Sequence, residues 1–267
     1  MGMARLPDGC VDMVLCDLPY GTTQCKWDAV IPFKPLWAAY ERVIKATGAI
    51  VLTAAQPFTS ALVMSNPCLF RYSWVWEKSK AMGYLNAKKR PLVAHEDVLI
   101  FSKKPVAYCP QMTDGEPYNK GKALRPIAVY GPQRAVLVKN KDGKRYPRTV
   151  QYFKTAESEG QVAHPTQKPV GLFEYLVKTY TNPGGIVLDN CMGSGTTAVA
   201  CISTGRRFIG FEKDKQYYDN AISRIAEMTP GMSCVGEMSQ LGIAPGRRLA
   251  ERPASPSCLR RNRSRRL

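Results

Sequence analysis

Four consecutive residues could hold a flat ring by its amino group. The apolar run from Val11 to Cys16 predicts a buried strand, and Asp17-Leu18-Pro19-Tyr20 follows it directly. The Asp17 carboxylate can accept one N–H bond of an exocyclic amine, the Leu18 carbonyl can accept the other, and Tyr20 can stack on the ring. An ordinary turn between a strand and a loop would account for the same residues. The assignment therefore depends on the rest of the chain.

A glycine-rich loop further along the chain could bind a second ligand. The apolar run from Ile186 to Leu188 predicts a strand, and Asp189 to Ala198 then reads as a loop that leads into a helix. Gly193 and Gly195 let the backbone approach a ligand closely, and either of the two threonines that follow can cap the helix. The same spacing satisfies the dinucleotide fingerprint Gly-x-Gly-x-x-Gly/Ala, so an NAD-binding oxidoreductase is an alternative.

Two further features suit a ligand with a ribose and a carboxylate. The strand predicted at Arg207 to Phe211 ends at Glu212, whose carboxylate can take both hydroxyls of a ribose. The loop His164-Pro165-Thr166-Gln167-Lys168-Pro169 combines a hydroxyl, an amide and an ammonium, which can bind a small carboxylate. A surface loop between two prolines explains that segment equally well.

In this order, the three clusters resemble the beta class of S-adenosylmethionine-dependent DNA amino-methyltransferases over most of the chain, from Val11 to Glu227. In that family an Asp-Pro-Pro-Tyr-type motif precedes a target-recognition region, a His-Pro-Thr-x-Lys-Pro motif and the cofactor loop Asp-Pro-Phe-x-Gly-Ser-Gly-Thr-Thr. Here Leu18 replaces the first Pro, which keeps the backbone carbonyl, and Asn190-Cys191 replaces Pro-Phe. Residues 72–78 and 95–103 are similar to the family's strands between the catalytic motif and the recognition region.

The resemblance implies a role for each of these residues. The catalytic residues would be Asp17, Leu18, Pro19 and Tyr20. The residues that bind S-adenosylmethionine would be Thr166, Lys168, Asp189, Gly193, Gly195, Thr196 and Glu212, with the first two on the cofactor's carboxylate and the last on its ribose. Simpler interpretations stay open: Asp189 as a helix cap, Glu212 as a solvated strand end and Lys168 as a surface charge.

The predicted reaction is methyl transfer to an exocyclic amine of a flipped base, most simply N6 of adenine. Family members that act on cytosine N4 usually carry Ser where Asp17 stands, which favours adenine. The lone pair of such an amine is delocalised into the ring, and acceptors outside the ring plane would free it for attack. A cytosine-N4 enzyme, an NAD-binding oxidoreductase and a catalytically inert DNA-binding protein of this fold are the alternatives.

The charge of the chain fits a polyanionic partner, which the resemblance makes double-stranded DNA. The formal net charge is +17 over 267 residues. Between Lys103 and Lys154, twelve Lys or Arg face three Asp or Glu, which suits a region that touches phosphates. Lys88, Lys89 and Arg90 are predicted to contact phosphates near the flipped base, although a merely solvated turn explains them as well.

Several other classes of protein are disfavoured. The nine cysteines contain no Cys-x-x-Cys pair, and two of them, Cys16 and Cys201, lie in apolar runs, which is typical of reduced, buried thiols. His95 and His164 are far apart in sequence, so no metal is expected. Without a membrane span or a signal peptide, the sequence predicts a cytoplasmic protein of a prokaryotic or phage-infected cell. A homodimer is left open.

Strands alternating with helices predict an α/β fold with a doubly wound, mostly parallel sheet and its crevice at the carboxyl ends of the strands. The predicted divisions are a catalytic half at 1–104, a loop-rich target-recognition insert at 105–160, a cofactor-binding half at 161–228 and a disordered basic tail at 229–267. Strands are expected at 11–16, 49–54, 71–77, 97–102, 186–189 and 207–211, and helices near 35–46, 57–65, 170–180, 196–204 and 214–227.

The start of the chain gives one more expectation. Ten residues precede Val11, whereas family members usually carry an extra turn and helix there that helps to enclose the cofactor's adenine. The chain therefore looks trimmed, and S-adenosylmethionine is expected to bind about ten- to a hundred-fold more weakly than in a version extended upstream.

Overall fold

The computed structural model describes residues 2–25, 28–123, 131, 136–159, 167–228 and 237–240. Its strands are β1 (Val11–Asp17), β2 (Ile44–Ala54), β3 (Phe70–Met82), β4 (Val93–Phe101), β5 (Tyr118–Ala123), β6 (Val136–Asn140), β7 (Val150–Phe153), β8 (Ile186–Asp189), β9 (Arg207–Glu212) and β10 (Glu237–Gln240). Its helices are α1 (Phe33–Val43), α2 (Phe58–Ser65), α3 (Ala156–Glu159), α4 (Val170–Tyr180), α5 (Thr196–Ser203) and α6 (Lys215–Met228).

Eight of the described strands form one large sheet in the order β10-β9-β8-β1-β2-β4-β3-β7. Neighbouring strands are parallel throughout, except that β4 runs antiparallel to both β2 and β3. Strands β5 and β6 form a separate antiparallel pair. The predicted mostly parallel sheet is confirmed.

Strand β1 shows why helices cover both faces of this sheet. Its apolar side chains alternate between two cores, with Met13 and Leu15 in one and Val14 and Cys16 in the other. The first core also takes in α4, α5 and Ile225 of α6, and the second takes in α1 and α2. A strand that is apolar on both faces needs such a position between helix layers. The predicted doubly wound fold is therefore confirmed, and Trp74 and Trp76 of β3 also lie in the first core.

The three acidic residues singled out in the sequence all end strands of this sheet. Asp17 closes β1, Asp189 closes β8 and Glu212 closes β9, and the strands are parallel neighbours. Because the carboxyl ends of parallel strands share one edge, the three carboxylates lie along the same rim, as predicted.

The first helix ends earlier in the chain than the sequence predicted. The interpretation of a helix near 35–46 is wrong at its end, because α1 stops at Val43 and Ile44 already pairs with Val11. The register of β2 on β1 then shifts, because Val11 pairs with Ile44 whereas Met13 pairs with Ala49. In between, Lys45 forms an ion pair with Asp12, and a Cβ on Gly48 would lie 2.8 Å from the Asp12 carbonyl oxygen. Tertiary pairing has thus overridden the local helical preference.

Four other predicted segments also need correction. Strands β3 and β4 extend beyond the predicted 71–77 and 97–102, because they continue to pair as far as Met82 and Val93. Strand β7 lies within the predicted insert at 105–160 but pairs with β3 in the large sheet. Within the predicted disordered tail at 229–267, Glu237–Gln240 form a strand on β9, whose edge offers unpaired backbone groups. The rest of that tail lies outside the described residues.

Candidate active site

The Asp17 carboxylate is held by three donors at the end of β1. The Tyr20 hydroxyl donates to Oδ1 at 2.8 Å, the Thr53 hydroxyl donates to the same oxygen, and the Lys168 ammonium donates to Oδ2 at 2.8 Å. Thr53 is the residue of β2 in register with Asp17, which places it beside the carboxylate. The Asp17 side chain is still 24% exposed, so it combines firm positioning with access to a ligand.

Two residues that sequence reasoning missed complete this site. Glu96 of β4 lies 3.3 Å from the Lys168 ammonium and forms a second ion pair with Lys78 of β3. We call Asp17, Tyr20, Lys78, Glu96 and Lys168 the catalytic cluster. The negative charges of its two carboxylates are matched by the positive charges of its two ammonium groups. This pairing offsets the cost of removing charged side chains from water.

The catalytic cluster fixes the protonation of its members. Burial opposes the charged form of Lys168, but the carboxylates of Asp17 and Glu96 outweigh it and raise its pKa to about 12. Burial also opposes the charged form of Glu96, but Lys168 and Lys78 prevail and lower its pKa. Burial, together with the carboxylates of Asp17 and Glu96, raises the pKa of the Tyr20 phenol well above its usual value. Lys168 is therefore a fixed cation and Tyr20 a neutral donor at physiological pH.

One face of the Tyr20 ring packs against another aromatic ring. It stacks on Phe58 at the start of α2, with centroids 5.1 Å apart and an interplanar angle of 23°. The Lys168 ammonium lies 5.4 Å from the Tyr20 ring centroid. One face of the ring is therefore covered by Phe58, and a stacked base would have to use the other.

The turn after Tyr20 is built around a second aspartate. The buried Asp28 carboxylate accepts hydrogen bonds from the backbone N–H groups of Gly21, Thr22 and Thr23 at 2.7–2.9 Å. Burial opposes the charge, yet these bonds lower the pKa of Asp28. The turn is thus a fixed support for the Tyr20 side chain.

Asp189 has a different environment from Asp17. It is 3% exposed, and its carboxylate accepts hydrogen bonds from the Cys191 N–H at 3.0 Å and from the Thr197 hydroxyl at 2.5 Å. Burial raises the pKa of Asp189 to about 6, although both hydrogen bonds lower it. Through these two hydrogen bonds, Asp189 holds both ends of the glycine loop.

The glycine loop begins its helix without a threonine cap. The N-cap of α5 is Gly195, at φ 81°, with no side-chain cap bond, so the predicted cap by Thr196 or Thr197 is wrong. Thr197 instead donates to Asp189, and a Cβ on Gly195 would lie 3.0 Å from the Ala221 side chain. Gly193 has φ 51° with open space beyond its Cα, as a ligand-facing position requires.

Glu212 is anchored by backbone amides. It accepts hydrogen bonds from the N–H groups of Gly193 at 2.7 Å, Lys213 at 2.7 Å and Asp214 at 2.8 Å. The carboxylate is therefore oriented beside the glycine loop. Two carboxylate oxygens offer about four acceptor sites, so capacity for a further donor is left.

The segment at 167–169 connects the Asp17 end of the rim with the glycine loop. The Ser194 hydroxyl donates to the Gln167 side chain at 3.0 Å, and Arg224 of α6 donates to Ser194 and Thr196 at 3.2 Å. The predicted partner of Lys168 was the cofactor's carboxylate, but in the structure its ammonium binds Asp17 and Glu96. Thr166, predicted to act with it, lies outside the described residues.

The predicted phosphate contacts lie on the turn between β3 and β4. Lys88, Lys89 and Arg90 are all exposed there, beyond the strands that carry Lys78 and Glu96. The turn therefore joins the same two strands that contribute Lys78 and Glu96 to the catalytic cluster. Within the described part of the chain, no cluster of His, Cys, Asp or Glu has the makings of a metal site, and no helix has the length and apolar character to cross a membrane.

This fold and rim define a Rossmann-like methyltransferase. A family model described as DNA methylase, covering N6 and N4 methyltransferases, matches residues 11–223. The chain belongs to this N6/N4 DNA methylase family. Family membership makes it a DNA amino-methyltransferase with S-adenosylmethionine as its methyl donor, and it removes the NAD-binding oxidoreductase from consideration.

Individual relatives agree with the family. The Type II methyltransferase M.HpaI of Haemophilus parainfluenzae is 25% identical over 250 residues, with 88% of this chain and 74% of that protein covered. M1.MboII of Moraxella bovis, another Type II methyltransferase, is 26% identical over 238 residues, with coverages of 79% and 87%. The crystal structure of the M1.HpyAVI–SAM complex superposes with a TM-score of 0.54 at 25% identity, covering 80% of this chain and 88% of that one.

Proposed function

We propose that this enzyme methylates N6 of adenine in double-stranded DNA. The observation that carries the proposal is the Asp17 carboxylate, which is fixed by Tyr20, Thr53 and Lys168 and yet remains accessible at the end of β1. A carboxylate in that position is an acceptor for the N–H of an incoming amine. A charge-assisted bond of this kind is about twice as strong as a neutral one.

The residues of the glycine loop fit the methyl donor. S-adenosylmethionine supplies an electrophilic methyl group on a sulfonium sulfur. The open space beside Gly193 and the amide-anchored carboxylate of Glu212 form one cradle, in which Gly193, Gly195 and Thr196 would hold the methionine part and Glu212 the ribose. Asp189 would act from beneath, by keeping the loop in shape through Thr197 and Cys191.

The amine must lose a proton when it gains a methyl group. Of the groups in the catalytic cluster, Lys168 is a poor acceptor because its pKa is about 12 and its ammonium already carries its proton. Asp17 is the carboxylate with access to the amine, so it would hold the departing proton until solvent removes it. An ionised Asp17 also stabilises the positive charge that develops on the nitrogen.

An incoming amine needs a free lone pair on Asp17. The Tyr20 hydroxyl is the donor best able to leave Asp17, because it also lies 3.4 Å from the Glu96 carboxylate and can turn its O–H to donate a hydrogen bond to Glu96 instead. Lys168 would stay bound to Asp17 Oδ2 and keep the carboxylate oriented. The Leu18 carbonyl would accept the second N–H, as the resemblance implies.

Base-modification sequencing of DNA from cells that express the protein tests this proposal. The expected result is N6-methyladenine in one sequence context for the wild type and none for Asp17→Ala. N4-methylcytosine would replace the adenine assignment with the cytosine alternative. A wild type that leaves DNA unmodified would support the inert DNA-binding protein instead.

A further inference from the structure

Tyr84 and Leu85 are the most exposed of the large apolar side chains on the turn between β3 and β4. Tyr84 is 77% exposed and Leu85 83% exposed, and both belong to the short 3₁₀ turn Tyr84–Asn86. Lys88, Lys89 and Arg90 follow at once, and no acidic residue occurs from Met82 to Leu92. We call Tyr84 and Leu85 the apolar tip. Apolar side chains that project from a run of cations suit a polyanion that also offers flat, apolar surfaces.

The backbone beneath the apolar tip is ordered. Asn86 and Ala87 donate backbone hydrogen bonds to the carbonyls of Gly83 and Tyr84 at 3.0 Å, and Lys89 and Arg90 both donate to Asn86 at 2.8–3.0 Å. Gly83 opens the turn at φ 87°, in the left-handed region that favours glycine. The tip is thus held out on a defined turn, which lowers the entropic cost of inserting it.

The turn is rooted in the catalytic cluster. Its two strands carry Lys78 and Glu96, which form an ion pair with each other. The same end of β3 is also bound to α3 and to the residue before it: the N–H of Thr155, which precedes α3, donates to the Ser79 hydroxyl at 3.0 Å, and Lys80 pairs with Glu157 of α3. Tyr84 lies six residues beyond Lys78, so at about 3.3 Å per residue it can stand at most about 20 Å from the cluster. DNA that lies across the rim near Asp17 would meet the tip.

We propose that the apolar tip is a wedge that enters the base stack and fills the gap left by the flipped target base. The inference rests on the proposed function, since a gap exists only if a base leaves the duplex. A base in a duplex is inaccessible to the Asp17 carboxylate, and proteins that unstack bases commonly insert apolar side chains between them. The adjacent cations would hold the phosphates on either side.

The test uses Tyr84→Ala/Leu85→Ala on two DNA duplexes that contain the recognition sequence identified by sequencing. In one duplex the target base is paired, and in the other it faces an abasic site, so that flipping needs little help. We expect kcat/KM on the paired duplex to fall roughly ten- to a hundred-fold, and to fall less than about threefold on the abasic duplex. Met64→Ala, which truncates an apolar side chain that is 72% exposed on α2, should change neither value.

A second variant separates the wedge from simple attraction to phosphates. Lys88→Ala/Lys89→Ala should weaken binding to both duplexes alike and reduce its salt dependence. If the tip variant loses activity equally on both duplexes, or on neither, the wedge is wrong while the proposed function stands. If the wild type methylates neither duplex nor any other DNA, the proposed function fails first.

Discussion

Asp17 and Asp189 end adjacent parallel strands, yet their carboxylates differ in exposure and in the groups that bind them. Asp17 is bound by the Lys168 ammonium and remains accessible, whereas Asp189 is enclosed and bound by a hydroxyl and a backbone N–H. Burial raises the pKa of Asp189 to about 6. The difference supports the proposed division of tasks along one rim, in which the carboxylate at the end of β1 accepts the substrate amine and the carboxylate at the end of β8 supports the cofactor loop.

The largest effect is expected where the acceptor itself is removed. Asp17→Ala should lower the single-turnover rate of methyl transfer at least about a hundred-fold, as expected for loss of a positioned proton acceptor. Cofactor affinity should stay nearly unchanged, because the glycine loop is held by other contacts. Calorimetric titration with S-adenosylmethionine and a rapid-quench assay measure the two quantities. Retention of more than roughly a tenth of the wild-type rate would mean that Asp17 is not the acceptor.

Glu96→Gln should chiefly affect stability. It removes the buried carboxylate with which Lys78 pairs and leaves Lys168 with Asp17 alone, so the free energy of unfolding should fall by about 3 kcal/mol. Denaturant unfolding measures this. Glu157→Gln is the matched control, because it breaks the exposed pair with Lys80 and should cost less than about 0.5 kcal/mol. Equal losses in the two variants would show that the catalytic cluster is not the stabilising network described above.

Several parts of this site could be predicted from sequence and others could not. Asp17, Asp189 and Glu212 follow apolar runs, and in a parallel sheet those runs place them on one edge. Lys78 and Glu96 were not predicted as site residues, because they are brought together by the register of β3 on β4, in which Glu77 pairs with His95. That register depends on pairing across the sheet, which one sequence does not specify.

The errors in local structure have a related cause. The predicted end of α1 near residue 46 and the predicted threonine cap both followed local preference. Ile44 is instead drawn into pairing with Val11, and the Thr197 hydroxyl is drawn to the buried Asp189 carboxylate. In both places a tertiary contact outweighed a propensity of less than about 1 kcal/mol.

The pH dependence of stability should reveal the cost of burying Asp189. Its pKa is raised in the folded state, so between about pH 4 and pH 6 the folded protein binds more protons than the unfolded chain, and stability falls as pH rises. Asp189→Asn removes this titration. The free energy of unfolding of the variant minus that of the wild type should therefore rise by about 2–3 kcal/mol across this window and then level off. A difference that is flat with pH would mean that Asp189 is not buried as a charge.

The smallest effect is expected at Glu212. Glu212→Ala should weaken S-adenosylmethionine binding by about 1–3 kcal/mol, through loss of a charge-assisted ribose contact and of the anchor for Gly193. Titration calorimetry measures the change. Asp219→Ala removes an exposed carboxylate paired with Lys215 on α6 and should leave the affinity unchanged. Equal affinities for wild type and Glu212→Ala would return Glu212 to the role of a solvated strand end.

The division of labour between the two aspartates is tested most directly by measuring Asp17→Asn and Asp189→Asn side by side in one single-turnover methylation assay at pH 8. Both changes keep the size of the side chain and remove its charge. Asp17→Asn should lose at least about a hundred-fold in rate, and Asp189→Asn should stay within about tenfold of the wild type. Comparable losses in the two variants, or a greater loss in Asp189→Asn, would contradict the assignment of Asp17 as the amine acceptor and Asp189 as a support.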